Sequence, residues 1–152
     1  MKISAGIESI DFTTVLRFRH TAGEVFSAIN NIPAWWSERF NGCSPEMDDE
    51  FEVSFGDVHY SKQKLIEVIP GKKILWLVTA SQLNFLKDKD EWTGTKISFE
   101  LSEKDHKTEL LFTHKGLVPS IECYDACTGG WSFYLNSLAS FINTGIGQPN
   151  KK

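Results

Sequence analysis

The stretch Ser120–Gly145, SIECYDACTGGWSFYLNSLASFINTG, decides the fold. Its large apolar residues Tyr124, Trp131, Tyr134, Leu135, Leu138, Phe141 and Ile142 recur at i, i+3, i+4 and i+7. That spacing lays one apolar stripe along a long amphipathic helix. Ser120, after Pro119, is the expected N-cap, and Gly145 the expected stop. Gly129-Gly130 inside the helix costs about 1 kcal/mol per glycine relative to alanine. Close packing of the sheet against the pair is the expected cause, and a kink gating a cavity is the alternative.

Upstream the chain reads mostly as strands. Ile10, Phe12, Thr14, Leu16 and Phe18 alternate with Asp11, Thr13, Val15, Arg17 and Arg19, a half-buried strand with a basic outer end. Thr21-Ala22-Gly23-Glu24 is a capping box. The helix it opens buries Val25, Phe26 and Ile29 and stops near Asn30-Asn31. Pro33 restarts a short turn carrying Trp35 and Trp36. From Phe40 the pattern is sheet, with Phe51, Val53 and Phe55 on one face and a hairpin turn at Gly56-Asp57. The inward phase of 58–69 stays open, because Tyr60, Ile66 and Val68 compete with Leu65 and Ile69. Lys73–Ser81 is apolar on both faces, which implies cover on each side or a phase-shifting bulge. Residues 83–92 form a longer connection. Ile97, Phe99 and Leu101 mark the next strand, and 103–106 turns it into 108–114.

Strand, two short helices, five or six further antiparallel strands and a long last helix make an α+β protein. The expected architecture is a curved antiparallel sheet of six to seven strands wrapped around the C-terminal helix, with a cavity between them. Residues 1–147 read as a single domain and 148–152 as a frayed tail.

Composition narrows the function. The 152 residues include eleven Phe and five Trp, which suits a wide core or a ring-walled cavity. The net charge of −4, with lysines scattered, argues against a nucleic-acid surface. The N-terminus MKISAGIESIDF has no apolar run of signal-peptide length, and no 18-residue apolar run occurs. A cytoplasmic location without a membrane span is expected. Cys43, Cys123 and Cys127, odd in number, are expected as reduced thiols.

Three stretches carry a family resemblance: TAGEVFSAINNIPAWW (21–36), WTGTKISFEL with TELLFTHKGL (92–101 and 108–117), and GWSFYLNSLASFINTG (130–145). They resemble the START-like superfamily, also called SRPBCC or the helix-grip fold, which includes the birch-pollen allergen. Within it the chain is most similar to the family related to the activator of heat-shock-protein-90 ATPase. The resemblance implies a helix-grip fold, and the superfamily holds lipid carriers, hormone receptors, aromatase/cyclases and chaperone partners. Fold alone does not choose among them.

The first functional expectation is a small hydrophobic or aromatic ligand held between sheet and C-terminal helix. Its expected contacts are Trp36, Phe55, Trp76, Phe99, Tyr124, Cys127, Trp131, Leu135 and Leu138. The tryptophans could equally fill core volume. The second expectation is a polyketide cyclase-like enzyme in the same cavity, with His114 and Tyr124 as candidate catalytic groups; Cys123, at the helix N-terminus, is a separate candidate for a reactive thiol, with Glu122 opposing it. Local spacing fixes no acid–base pair, so binding is expected before catalysis. Glu91 reads as a solvated loop charge and His59 as an ordinary strand-start residue. A co-chaperone module and a homodimer are the remaining partner expectations. His114 with Cys123 and Cys127 lacks the spacing of common zinc modules, so no metal and no cofactor is assigned.

Overall fold

The computed structural model describes residues 10–151. Residues 1–9, part of the stretch read above for a targeting signal, and Lys152 lie outside it. Seven strands follow the chain in the spatial order β1-β7-β6-β5-β4-β3-β2, all antiparallel. They are β1 (Phe12–Phe18), β2 (Phe40–Gly42), β3 (Glu50–Phe55), β4 (His59–Ile69), β5 (Lys73–Leu83), β6 (Lys96–Lys104) and β7 (Lys107–Lys115). Two short helices, α1 (Ala22–Asn30) and α2 (Ile32–Trp35), follow β1, and α3 (Tyr124–Thr144) closes the curved sheet. This is the helix-grip architecture.

Local chemistry explains most boundaries. The capping box forms in full: Thr21 Oγ1 accepts from Glu24 N–H, and Glu24 Oε1 accepts from Thr21 N–H at 2.9 Å. At the far end of α3, Gly145 takes φ +83° and donates its N–H to Phe141 O, the left-handed stop that glycine permits. In β4 the inward side chains are Ser61, Gln63 and Leu65. Register shifts at Lys62/Gln63 and at Leu65/Glu67 then change the phase, so Val68 pairs with Ile74 and packs on the core. Bulges therefore account for the mixed patterns of 58–69 and 73–81.

Two terminal expectations need correction. Ser120 does not cap α3: the helix starts at Tyr124 with Cys123 as N-cap, and no side chain of its own segment caps it. The tail is not frayed through residue 151. Gln148 N–H donates to Ser137 Oγ at 2.6 Å, and Ser137 Oγ donates to Trp35 O at 2.8 Å. Asn150 exchanges backbone bonds with the other side of α2, donating to Trp36 O at 2.9 Å and accepting from Glu38 N–H at 2.8 Å. Its side-chain amide also donates to Ser54 O at 3.2 Å. Gly147 lets the tail approach, since a Cβ there would sit 2.3 Å from Ala34 O. Sequence polarity suggested fraying, but backbone pairing to the α2 segment holds the tail.

The tail thus clamps the segment that presents Trp36. Asn150→Ala is expected to lower stability by about 1 kcal/mol, and deletion of 148–152 by more, both read in urea melts. Unchanged melting in the deletion variant would contradict the clamp.

Candidate functional site

All five tryptophans of the chain stack into one array. Trp36 is its hub, stacked on Trp35, on Trp76 at 5.6 Å and on Trp131 at 5.2 Å between centroids. Trp131 stacks in turn on Trp92 at 5.9 Å with planes 8° apart. Trp35 and Trp76 are wholly buried and fill the core with Phe51, Phe99 and Phe112. The other three wall a cavity. The array therefore does both jobs that composition left open.

The cavity measures about 170 Å³ and lies between α3, the start of β4 and the loop 84–95. Of the nine contacts expected from sequence, Trp36, Phe55, Cys127 and Trp131 line it. Trp76, Phe99, Leu135 and Leu138 are buried in the core instead, and Tyr124 packs half-buried against that core outside the lining. The lining also includes His59, Phe85, Trp92, Ala126, Gly130 and Tyr134. Gly130 was legible as a site residue: Cys127, Gly130, Trp131 and Tyr134 stand at i, i+3, i+4 and i+7 on one helix face. No sheet atom lies within 4 Å of a Cβ built at Gly129 or Gly130. The close-packing expectation is thus corrected. α3 runs on through the pair, and the missing side chain at Gly130 leaves part of the cavity open.

The loop 84–95 is bound to the start of α3 by two carboxylates. Glu91 accepts the N–H groups of Glu122 and Cys123, each at 2.9 Å, and so serves as the cap that Ser120 does not supply. Reciprocally, Glu122 accepts from Lys87 N–H at 3.1 Å and Asp88 N–H at 3.3 Å. Those backbone bonds hold the Glu122 carboxyl below the usual range. Glu91 is therefore a structural anchor and not a solvated charge.

His114 is wholly buried, with both ring nitrogens engaged. Trp131 Nε1–H donates to His114 Nδ1 at 2.9 Å, which makes Nδ1 the unprotonated nitrogen. His114 Nε2–H then donates to Thr95 Oγ1 at 2.9 Å, and Thr95 Oγ1 donates to Trp92 O at 2.6 Å. Every hydrogen in this chain is placed, and the imidazole is neutral. Burial pushes its pKa down to about 3, with repulsion from His59 adding to the effect. Burial pushes His59 down to about 4. Both rings edge onto the same indole, His59 at 4.6 Å and His114 at 4.7 Å from the Trp92 centroid. His114 is thus a structural bridge placed behind the cavity wall.

The thiols form a coupled pair. Cys127 Sγ accepts from Trp92 Nε1–H at 3.3 Å, and the Cys123 thiol lies beside it one helical turn back. The interaction between the two thiols holds the Cys127 thiol below its usual range and, with burial, pushes the Cys123 thiol up. Cys123, the sequence candidate for reactivity, is the thiol held protonated. Burial also raises the Tyr134 hydroxyl pKa at the cavity rim.

The histidines set a pH dependence with a definite sign. Both are neutral in the fold but gain a proton on unfolding below pH about 6.5, so the unfolded state binds more protons and stability falls as pH falls. Each contributes a loss of about 1.4 kcal/mol per pH unit between 6.5 and its folded pKa. His114→Gln should therefore flatten the fall in unfolding free energy between pH 6 and 4 by about one proton. A slope equal to wild type would contradict the neutral buried bridge.

Comparison with known proteins places this geometry. No curated protein sequence matches the chain. Among solved structures, the chain is similar to the Aha1 dimer from Colwellia psychrerythraea, with a TM-score of 0.73 and 20% identity over 91% of this chain and 99% of that one. DynU16, a protein of the dynemicin biosynthetic locus, superposes with a TM-score of 0.68 at 14% identity, covering 93% of this chain and 51% of that one. CalU16 from Micromonospora echinospora gives 0.65 at 18% identity, covering 89% of this chain and 77% of that one. Such identities show the shared fold alone. The family model described as "Activator of Hsp90 ATPase homolog 1-like protein" matches residues 19–143, and the chain belongs to that family.

Proposed function

We propose that this protein binds a small, apolar, single-ring molecule in the cavity beside Gly130. The observation that carries the reading is the aromatic enclosure itself, with Trp36, Phe55, Trp92 and Trp131 around about 170 Å³ left open by a glycine. Size decides the ligand class. An apolar cavity of about 150 Å³ accommodates benzene, whereas drug-sized ligands occupy roughly 300–1,000 Å³. One ring with a short substituent matches that volume better than a fused polyketide does.

This size argument separates the binding reading from the cyclase reading. So does the placement of the catalytic candidates: His114 has both nitrogens bonded, the Cys123 thiol is pushed up and outside the lining, and Tyr124 is not in the lining. The co-chaperone reading draws support from the family's description, and a homodimer from the dimeric Colwellia structure.

The test is a titration with p-cresol, followed through the indole N–H resonances of Trp92 and Trp131. A ligand of this size is expected to bind with Kd of roughly 0.01–1 mM. Gly130→Leu should weaken it by about tenfold or more by filling the space. Gly129→Ala, on the exposed face, should leave binding intact and stabilise the helix by up to about 1 kcal/mol. No saturable shift, or equal binding by Gly130→Leu, would overturn the reading.

A further inference from the structure

We propose that the ligand class is a single-ring conjugated carbonyl compound, such as a quinone or enone, and that Cys127 captures it by conjugate addition. This rests on the ring-binding reading and adds two groups which that reading leaves unused, a sulfur nucleophile and an unpartnered donor.

Cys127 lines the cavity and is 7% exposed, so its sulfur is reached by way of the cavity. It stands in the first turns of α3, where the amide ends favour negative charge, and Trp92 Nε1–H donates to its sulfur at 3.3 Å. Electron density on sulfur is therefore stabilised by the indole N–H. Glu91 opposes this, since its charge disfavours the thiolate, although its carboxylate is engaged by two backbone N–H groups. Cys43 is the chain's exposed thiol and has no such surroundings.

The second group is His59. Gln63 Nε2–H donates to Ser61 Oγ at 2.6 Å, and Ser61 Oγ lies 3.1 Å from His59 Nε2. Ser61 is wholly buried and its hydroxyl has no other acceptor among the described residues, so donation to His59 Nε2 satisfies it and leaves the ring proton on Nδ1. Nδ1 has no partner among the described residues, and the half-buried His59 ring lines the cavity. An unpartnered N–H facing an otherwise apolar lining calls for an acceptor. A hydrocarbon ring lacks one, and a ring carbonyl supplies it. His59 and Cys127 flank the same indole, one edging onto the Trp92 ring and the other accepting its N–H.

The chemistry balances without a further reactant. Cys127 sulfur bonds to the β-carbon of the conjugated system, the C=C pair shifts toward the carbonyl, and negative charge collects on the oxygen facing His59 Nδ1–H. The proton lost from the thiol returns through water to that oxygen or to the α-carbon. A quinone becomes a hydroquinone thioether and an enone a thioether ketone.

p-Benzoquinone is the probe, applied to the full chain carrying Cys43→Ser and read by intact mass and peptide mapping. Cys127 is expected to be modified about tenfold or more faster than free cysteine at neutral pH. The rate should fall with p-cresol present, with Gly130→Leu and with His59→Phe. Protection by p-cresol needs no destabilising variant. If p-cresol binds but Cys127 reacts no faster than free cysteine, capture is overturned while ring binding stands. If neither occurs, both readings fall.

Discussion

The hydrogen bond from the Trp131 indole to His114 Nδ1 holds the functional end of this fold in place. It crosses from α3 to β7 and fixes the plane of Trp131, on which Trp36 and Trp92 stack. Through Thr95 the same chain reaches the Trp92 carbonyl, so the second wall of the cavity is tied to the first. A buried indole N–H without a partner costs about 1–3 kcal/mol. Trp76 Nε1 carries that cost in the core, where it is buried without a hydrogen-bond partner. At Trp131 the cost is avoided, but only while His114 stays neutral. Wall geometry and histidine protonation are therefore one constraint.

Around that bond the protein achieves rigidity by reciprocity. Glu91 and Glu122 cross-cap each other's segments, which fastens the loop carrying Phe85 and Trp92 to the start of α3. On the other flank the tail bonds to both ends of the segment presenting Trp36. Three separate elements thus bring rings to one place, and the cavity is what remains where α3 has a glycine. The proposed ligand fills that remainder.

Much of this was legible in the sequence because periodic patterns report local burial. The 124–142 stripe gave α3, Thr21 and Glu24 gave the first cap, and alternation gave the strands. What escaped notice depended on distant partners. Glu91 binds the backbone leading into α3 at Glu122 and Cys123, 31 and 32 residues away, which no local pattern reveals. Likewise, Asn150 pairs with Trp36 across the whole chain, so a polar tail read as frayed. Trp76, Phe99, Leu135 and Leu138 lie on inward faces, as expected, but an inward face does not say whether a side chain meets another side chain or open space. That depends on packing across the sheet. The glycine pair was noticed, but its cost was assigned to close packing, because sequence shows a missing side chain without showing what stands opposite.

The central claim is that the space beside Gly130 is a real apolar cavity held open by its walls. A crystal structure determined under xenon pressure tests it most directly, since apolar cavities of this size take up xenon. The account predicts a xenon atom among Trp36, Phe55 and Trp131, in contact with the Gly130 backbone, with the Trp131–His114 bond intact. Side chains collapsed into the space, with no xenon bound there, would contradict it.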